Sequence, residues 1–222
     1  MSQLPEKEAV QAINDSFIKW GLPQRIKIDG GRPFVHPSDP DVPTRSFLWW
    51  TGLGIEVVIN TPGCPQQNGT VEGLQGLCER WVNPNEYDNI QAFQIGLDEV
   101  GHIQRQVYKI PKFKYKTRME LYPELVNKPR PYTPQQFCMD LVFDFLAQKV
   151  WHRKVKTRGT VKVFGQEVYV GCKLKHWPVT VTFDPIDNAW IIRTTAGALL
   201  KTADNKIFTE NRILEHVNLS KN

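Results

Sequence analysis

Apolar residues near the start of the chain recur at helical spacing. Val10, Ile13, Phe17 and Trp20 fall on one face between Pro5 and Trp20, and Gly21-Leu22-Pro23 ends the run, which predicts an amphipathic helix packed on a neighbour. Gln24–Asp29 (QRIKID) then places Ile26 and Ile28 on one face of a short strand and closes on an acid followed by Gly30-Gly31. Asp29 thus stands at the carboxyl end of a strand, where ligands bind in α/β sheets. The Pro- and Asp-rich run Pro37–Pro43 predicts a loop, Phe47–Leu53 a helix closing at Gly54, and Ile55–Ile59 a strand too apolar to be exposed on both faces. Helix, strand, helix, strand, loop, helix is the order of an α/β unit with a parallel strand pair.

The next helix follows the polar, turn-prone stretch Cys64-Pro65-Gln66-Gln67-Asn68-Gly69-Thr70-Val71-Glu72. Val71, Leu74, Leu77, Cys78 and Trp81 recur at helical spacing and are expected to bury one face. Glu72 then lies in the first turn, facing solvent and favoured by the positive end of the helix dipole, a position that suits either a metal ligand or an ordinary helix-start carboxylate. Asn83-Pro84 ends that helix, and Ile90–Tyr108 predicts another, with Phe93, Leu97, Val100 and Val107 as its apolar members. Asp29 and Glu72 are expected to approach each other at one end of the parallel pair.

From Ile110 to Pro134 the chain is rich in Pro, Lys and aromatics, with Lys112, Lys114, Lys116 and Arg118 interleaved with Phe113 and Tyr115. The interleaving fits a phosphate track with stacking side chains, and equally a linker that packs its aromatics and leaves its lysines in water. Thr133-Pro134-Gln135-Gln136 is read as the cap of a short helix, Phe137–Leu146. From Trp151 the period changes to two: RGTVKVF, QEVYV, PVTVTFD and AWIIRTT alternate apolar and polar residues between turn signals such as Asp184–Asn188, which predicts a small β-barrel.

Composition bounds the possibilities. At 222 residues with 41% hydrophobic content the chain suffices for one large domain or two small ones, and no apolar run approaches the length needed to span a bilayer. The first residues have neither the charged nor the apolar region of a leader, so a cytoplasmic protein is expected, with no membrane partner. Four scattered cysteines and unpaired histidines argue against a zinc site and fit a reducing compartment. The net charge of +5 is unevenly spread, since Arg105 to Lys162 holds 14 Lys or Arg against four acids. A basic middle is a nucleic-acid footprint or a solvated surface.

The series Trp20-Gly21-x-Pro23-x-x-Ile26-x-x-Asp29-x-Gly31-x-x-Phe34, then Leu53-Gly54-Ile55, then Pro65-x-x-Asn68-Gly69-x-Val71-Glu72 resembles the second half of the catalytic core of DDE transposases and retroviral-type integrases. Farther on, Arg153-Lys154-Val155, Gly159-Thr160-Val161, Gly165, Tyr169 and Gly171, then Phe183-Asp184 and Trp190, is similar to the C-terminal barrel of Mu-like transposases. The resemblance covers nearly all of the chain. It implies α/β plus all-β: a partial RNase H-like core at 1–108, a basic linker with a short helix at 109–150, and an SH3-like barrel at 151–222.

By the same resemblance Asp29 is the second and Glu72 the third of three acids that hold two Mg2+ (or Mn2+) ions for strand transfer, an in-line displacement at a phosphodiester. Gln67, Asn68 and Gly69 are expected to let the loop approach DNA, or else they form a simple turn. Arg153, Lys154, Lys156 and Arg158 are expected either to contact a DNA backbone or to form a solvated entry strand. Two departures stand out. Gly30 replaces the family's usual Asn, and the first acid and its strands are expected to be missing, Asp15 being placed on a helix and no substitute. Little catalysis is therefore expected of the chain by itself. Its partners are expected to be DNA, as element ends and target, and a second copy or a complementing transposase chain. The alternatives are a non-catalytic DNA-binding or regulatory remnant, or a barrel that binds only protein.

Overall fold

The computed structural model describes residues 6–31, 34–36, 41–61, 63–125 and 130–217. In chain order the regular elements are α1 (Glu6–Trp20), β1 (Arg25–Ile28), α2 (Arg45–Gly52), β2 (Glu56–Ile59), α3 (Gly69–Trp81), α4 (Ile90–His102), α5 (Arg118–Leu121), α6 (Met139–Ala147), β3 (Trp151–Lys154), β4 (Thr160–Val163), β5 (Gln166–Tyr169), β6 (Pro178–Asp184), β7 (Ala189–Thr194), β8 (Leu199–Asp204) and α7 (Glu210–His216). They form two compact units, one of residues 1–18, 23–59 and 132–222, the other of residues 19–22 and 60–131. Four positions of the loop expected over Pro37–Pro43 lie outside the described residues.

In the first unit β1 and β2 pair in parallel, Arg25 opposite Glu56 through Ile28 opposite Ile59. This is the pair that the alternation of helices and strands predicts. Among the described residues no third strand joins it. Val57, Val58 and Ile59 of β2 are only half-buried, short of the enclosure their apolar run leads one to expect.

Burial concentrates instead on α2, where Phe47, Leu48, Trp49 and Trp50 are all buried. The Thr44 hydroxyl starts that helix by accepting the Phe47 N–H at 3.2 Å. Gly52 lies under the Phe137 ring, where an added Cβ would overlap the ring's Cδ2 at 2.5 Å, and that ring stacks on Trp49 with centroids 5.1 Å apart. On α1, Val10 and Phe17 of the expected face are buried, Ile13 is half-buried and Trp20, at the helix end, is exposed.

The period-two region forms a four-stranded antiparallel sheet in the order β3-β6-β7-β8 and a separate hairpin of β4 and β5. The hairpin turns at Phe164-Gly165, both at positive φ (49° and 100°), as a two-residue loop of matching twist demands. Trp190 is fully buried at the centre of an aromatic cluster with Trp151, Phe164, Phe183 and Phe208. On α6, Val142 and Leu146 are buried, and Phe143 lies 5.2 Å from the Phe183 ring. Two elements escape the sequence pattern. In β8 no residue is fully buried, so it lacks a clean alternation; α7 is too short for a periodic signal but buries Ile213 and Leu214.

The second unit is helical. The expected helix to Tyr108 stops being α-helical after His102 and continues as a π-wound turn, Ile103–Val107. Gly96 is buried against Tyr87, whose ring meets Phe93 edge-on at 5.6 Å. The larger departure is α3. Val71, Leu74 and Trp81 are 58%, 49% and 43% exposed, and Leu77 and Cys78 only half-buried, so the expected buried face is open. An amphipathic pattern specifies which face would be buried, but burial needs a facing surface. Among the described residues no helix is long and apolar enough to cross a membrane.

Candidate nucleic-acid and metal site

Asp29 follows the last residue of β1 directly and is exposed. Gly30 and Gly31 turn the backbone away, and the Gly31 N–H points back at Asp29 Oδ1 from 3.4 Å. The carboxylate is oriented by its own turn and faces water, a geometry that leaves oxygen atoms available to a cation.

Glu72 sits in the first turn of α3, exposed, with its N–H donating to Asn68 O at 3.0 Å. The loop before it is held by its own amides. The Gln67 side chain bridges Thr61, accepting from the backbone N–H at 3.0 Å and donating to the hydroxyl at 3.3 Å. Asn60 donates to Asn68 Oδ1, and Asn60 Oδ1 is buried without a hydrogen-bond partner among the described residues. Gln67 and Asn68 therefore shape the loop, and Gly69, exposed with nothing within 4 Å of an added Cβ, is the residue of the three that offers bare backbone.

The basic segment forms a tight loop closed by a bridge between Ile110 and Lys116. Lys114 and Tyr115 adopt left-handed φ values of 55° and 58° at its tip. Lys112, Lys114 and Lys116 are exposed beside Phe113 and Tyr115, themselves 44% and 67% exposed, so cations and rings share one solvent-facing loop. Arg118 is used differently. Its guanidinium donates to Gln104 O at 2.7 Å and Gln104 Oε1 at 3.0 Å, which ties α5 to the π turn. The adjoining Thr117–Glu120 capping box holds the Glu120 carboxyl below the usual carboxylate range, chiefly through the Thr117 N–H, with Lys109 and Lys116 adding to it.

In the first unit Arg153 lies over the Phe164 ring at 5.6 Å. Lys154, Lys156 and Arg158 line an open cavity of about 530 Å³ with Thr160, Glu167 and His176. Neither Glu167 nor His176 is legible as a site residue from sequence, since nothing in their spacing points to a common cavity. Lys156 Nζ donates to Glu167 at 2.5 Å, and this contact, with help from Thr160 and Arg158, lowers the Glu167 carboxyl below its usual range. A second cavity, about 450 Å³, is mostly apolar and borders β2 and α2, with Lys149 and Asp41 among its lining residues. Asp29 and Glu72 line neither.

The donor set can be compared with a metal centre. Asp29 and Glu72 are hard oxygen donors of the kind magnesium takes, but among the described residues no group of three His, Cys, Asp or Glu could hold a metal ion. Asp29 belongs to the first compact unit and Glu72 to the second. The described residues therefore provide two candidate ligands and no complete centre.

No family model matches the chain, and no curated protein does. Among solved structures, it is similar to a chain of the simian T-cell lymphotropic virus intasome in complex with PP2A regulatory subunit B56 gamma, at 17% identity and a TM-score of 0.41. The match covers 93% of this chain and 67% of that one. It is a remote likeness.

Proposed function

We propose that the chain is the DNA-binding C-terminal portion of a DDE-type transposase or integrase, and that it takes part in strand transfer once a further carboxylate completes its acidic set. In this reading β1, β2 and the helices around them are part of an RNase H-like core, and the antiparallel strands after Trp151 form an SH3-like barrel. The observation that carries it is the position of the two acids. Asp29 lies at the carboxyl end of a parallel strand, and Glu72 in the first turn of the helix that follows the partner strand, both exposed, as the motif order requires. The cations at Lys112–Lys116 and Lys154–Arg158 supply the electrostatic attraction that any phosphodiester substrate needs.

Divalent magnesium, when bound, would lower the cost of charge on the attacking and leaving oxygens of an in-line displacement. Asp29 would offer a carboxylate steadied by the Gly31 N–H. Glu72 would offer one steadied by the helix dipole and by the Asn60–Asn68 clasp beneath it. Exposed lysines would hold the DNA backbone.

The test is strand transfer, with labelled duplex and Mg2+, by a complex in which a third acid completes the set, on a longer form of the chain or on a second polypeptide. Asp29→Asn or Glu72→Gln is expected to lower the rate by at least about a hundredfold, as loss of a charge-stabilising group does, while duplex affinity stays within about twofold. Retained strand transfer in either variant would sink the assignment of the acids. A chain that never joins DNA, however complemented, yet binds duplex with a steep salt dependence, would be a non-catalytic DNA-binding protein.

A further inference from the structure

The cavity beside β5 has a construction that the basic character of its sequence does not explain. Lys156 and Arg158 sit on a loop clasped at both ends: the Lys156 N–H donates to Thr160 O at 2.7 Å and the Gly159 N–H to Lys156 O at 2.9 Å. Gly159 O in turn accepts from the N–H groups of Val170 and Gly171, at 2.9 and 3.2 Å. From the other side His176 is held at a left-handed φ of 67°, an uncommon conformation for a residue with a Cβ. It persists because the His176 N–H donates to Val155 O at 2.9 Å, the Val155 N–H to Trp177 O at 3.0 Å, and the Trp177 N–H to Leu174 O at 2.9 Å. Two rigid loops thus present Lys156, Arg158 and His176 to one cavity, which Lys154 also lines.

One acid answers these cations. Glu167, on β5, accepts from Lys156 Nζ at 2.5 Å and from the Thr160 hydroxyl at 3.4 Å. Three permanent cations and an imidazole against a single carboxylate leave the cavity positive, and the carboxylate lies where an incoming anion would find Lys156. Both partners of the ion pair are about half exposed, so the pair is weak and exchangeable.

We propose that this cavity receives a backbone phosphate of duplex DNA, and that Glu167 is a built-in competitor which the phosphate displaces from Lys156. The proposal rests on the DNA-binding reading above and adds to it a defined phosphate pocket and an internal limit on its affinity. A phosphodiester, like a carboxylate, carries one negative charge on two oxygens, and the several lone pairs of its two non-bridging oxygens can accept from Lys156, Arg158, His176 and the Thr160 hydroxyl together. Exchange leaves Glu167 in water, where it loses little. Such a pocket grips DNA without regard to sequence and releases it readily.

The experiment measures affinity of the full chain for a labelled duplex across a salt series, by fluorescence anisotropy. Glu167→Gln is expected to tighten binding about three- to tenfold, because Lys156 no longer has to be released. Lys156→Gln and Arg158→Gln are each expected to weaken binding several-fold and flatten the slope of log K against log salt by about 0.9. His176→Asn, which tolerates the left-handed backbone, is expected to weaken binding with an unchanged melting temperature. The deciding comparison is the double variant: the gain from Glu167→Gln is expected to vanish when Lys156 is already Gln. Asp187→Asn, an exposed acid on the β6–β7 turn, controls for overall charge and is expected to change little. A gain from Glu167→Gln that survives without Lys156, or that Asp187→Asn reproduces, would overturn the competitor role. Wild-type binding with a normal salt slope that no pocket variant alters would overturn the pocket alone. Absence of salt-dependent binding in every form would overturn the pocket and the DNA reading together.

Discussion

Gly159 marks the point where single-residue chemistry controls the basic loop. It is held at φ 73°, and an added Cβ would stand 2.6 Å from both Cys172 N and Gly171 C, backbone atoms that cannot step aside. Gly165 has a φ of 100° but no atom within 4 Å of an added Cβ. Gly159→Ala is therefore expected to cost about 2 to 4 kcal/mol and Gly165→Ala about 1 to 2, the first adding a collision to the strain that both share. Urea unfolding of the two variants tests this, and equal losses would mean that the loop yields freely. At this scale sequence is a partial guide. The glycines are visible as turn signals, but which one has a neighbour pressed against it depends on Gly171 and Cys172, residues distant along the chain.

At the scale of elements the contrast lies between α3 and α6. Both are amphipathic by pattern, yet Leu146 of α6 is fully buried while Leu74 of α3 is 49% exposed. Leu146→Ala is expected to destabilise the chain by about 2 to 5 kcal/mol, and Leu74→Ala by no more than about 0.5. Denaturant midpoints decide the matter, and a large loss at Leu74 would mean that α3 is covered in solution. The α1, β1, α2 and β2 boundaries, by contrast, follow the sequence to within about two residues. Their signals are local: the Gly21-Leu22-Pro23 stop, the close at Gly54 and the alternation of Ile26 and Ile28. The π turn after His102 has no such signal.

For the whole molecule the governing quantity is the distribution of charge. The excess of cations from Arg105 to Lys162 is divided by the fold, Lys112–Lys116 lying in the second compact unit and Lys154–Arg158 in the first. If both sets meet phosphate, replacing Lys112, Lys114 and Lys116 together by Gln is expected to flatten the log K against log salt slope by about 0.9 for each phosphate that is no longer neutralised, with no change in fold. An unaltered slope would assign DNA binding to the other set. Arg118 lies next in sequence to these lysines but is bonded to Gln104, and its replacement is expected to act through folding.

Periodicity and turn chemistry, which depend on neighbours a few residues apart, by themselves determined α1 to α4 and α6, the parallel pair, the antiparallel region after Trp151 and the positions of Asp29 and Glu72 on their elements. What only the tertiary structure decided is which surfaces find partners: that Val71, Leu74 and Trp81 of α3 stay exposed, that Gln67, Asn68 and Arg118 spend polar groups on other residues of the chain, and that Glu167 and His176 join Lys156 around one cavity. Those outcomes depend on contacts between residues far apart in the chain, and a linear pattern states only which side of an element is apolar or charged, never what will face it.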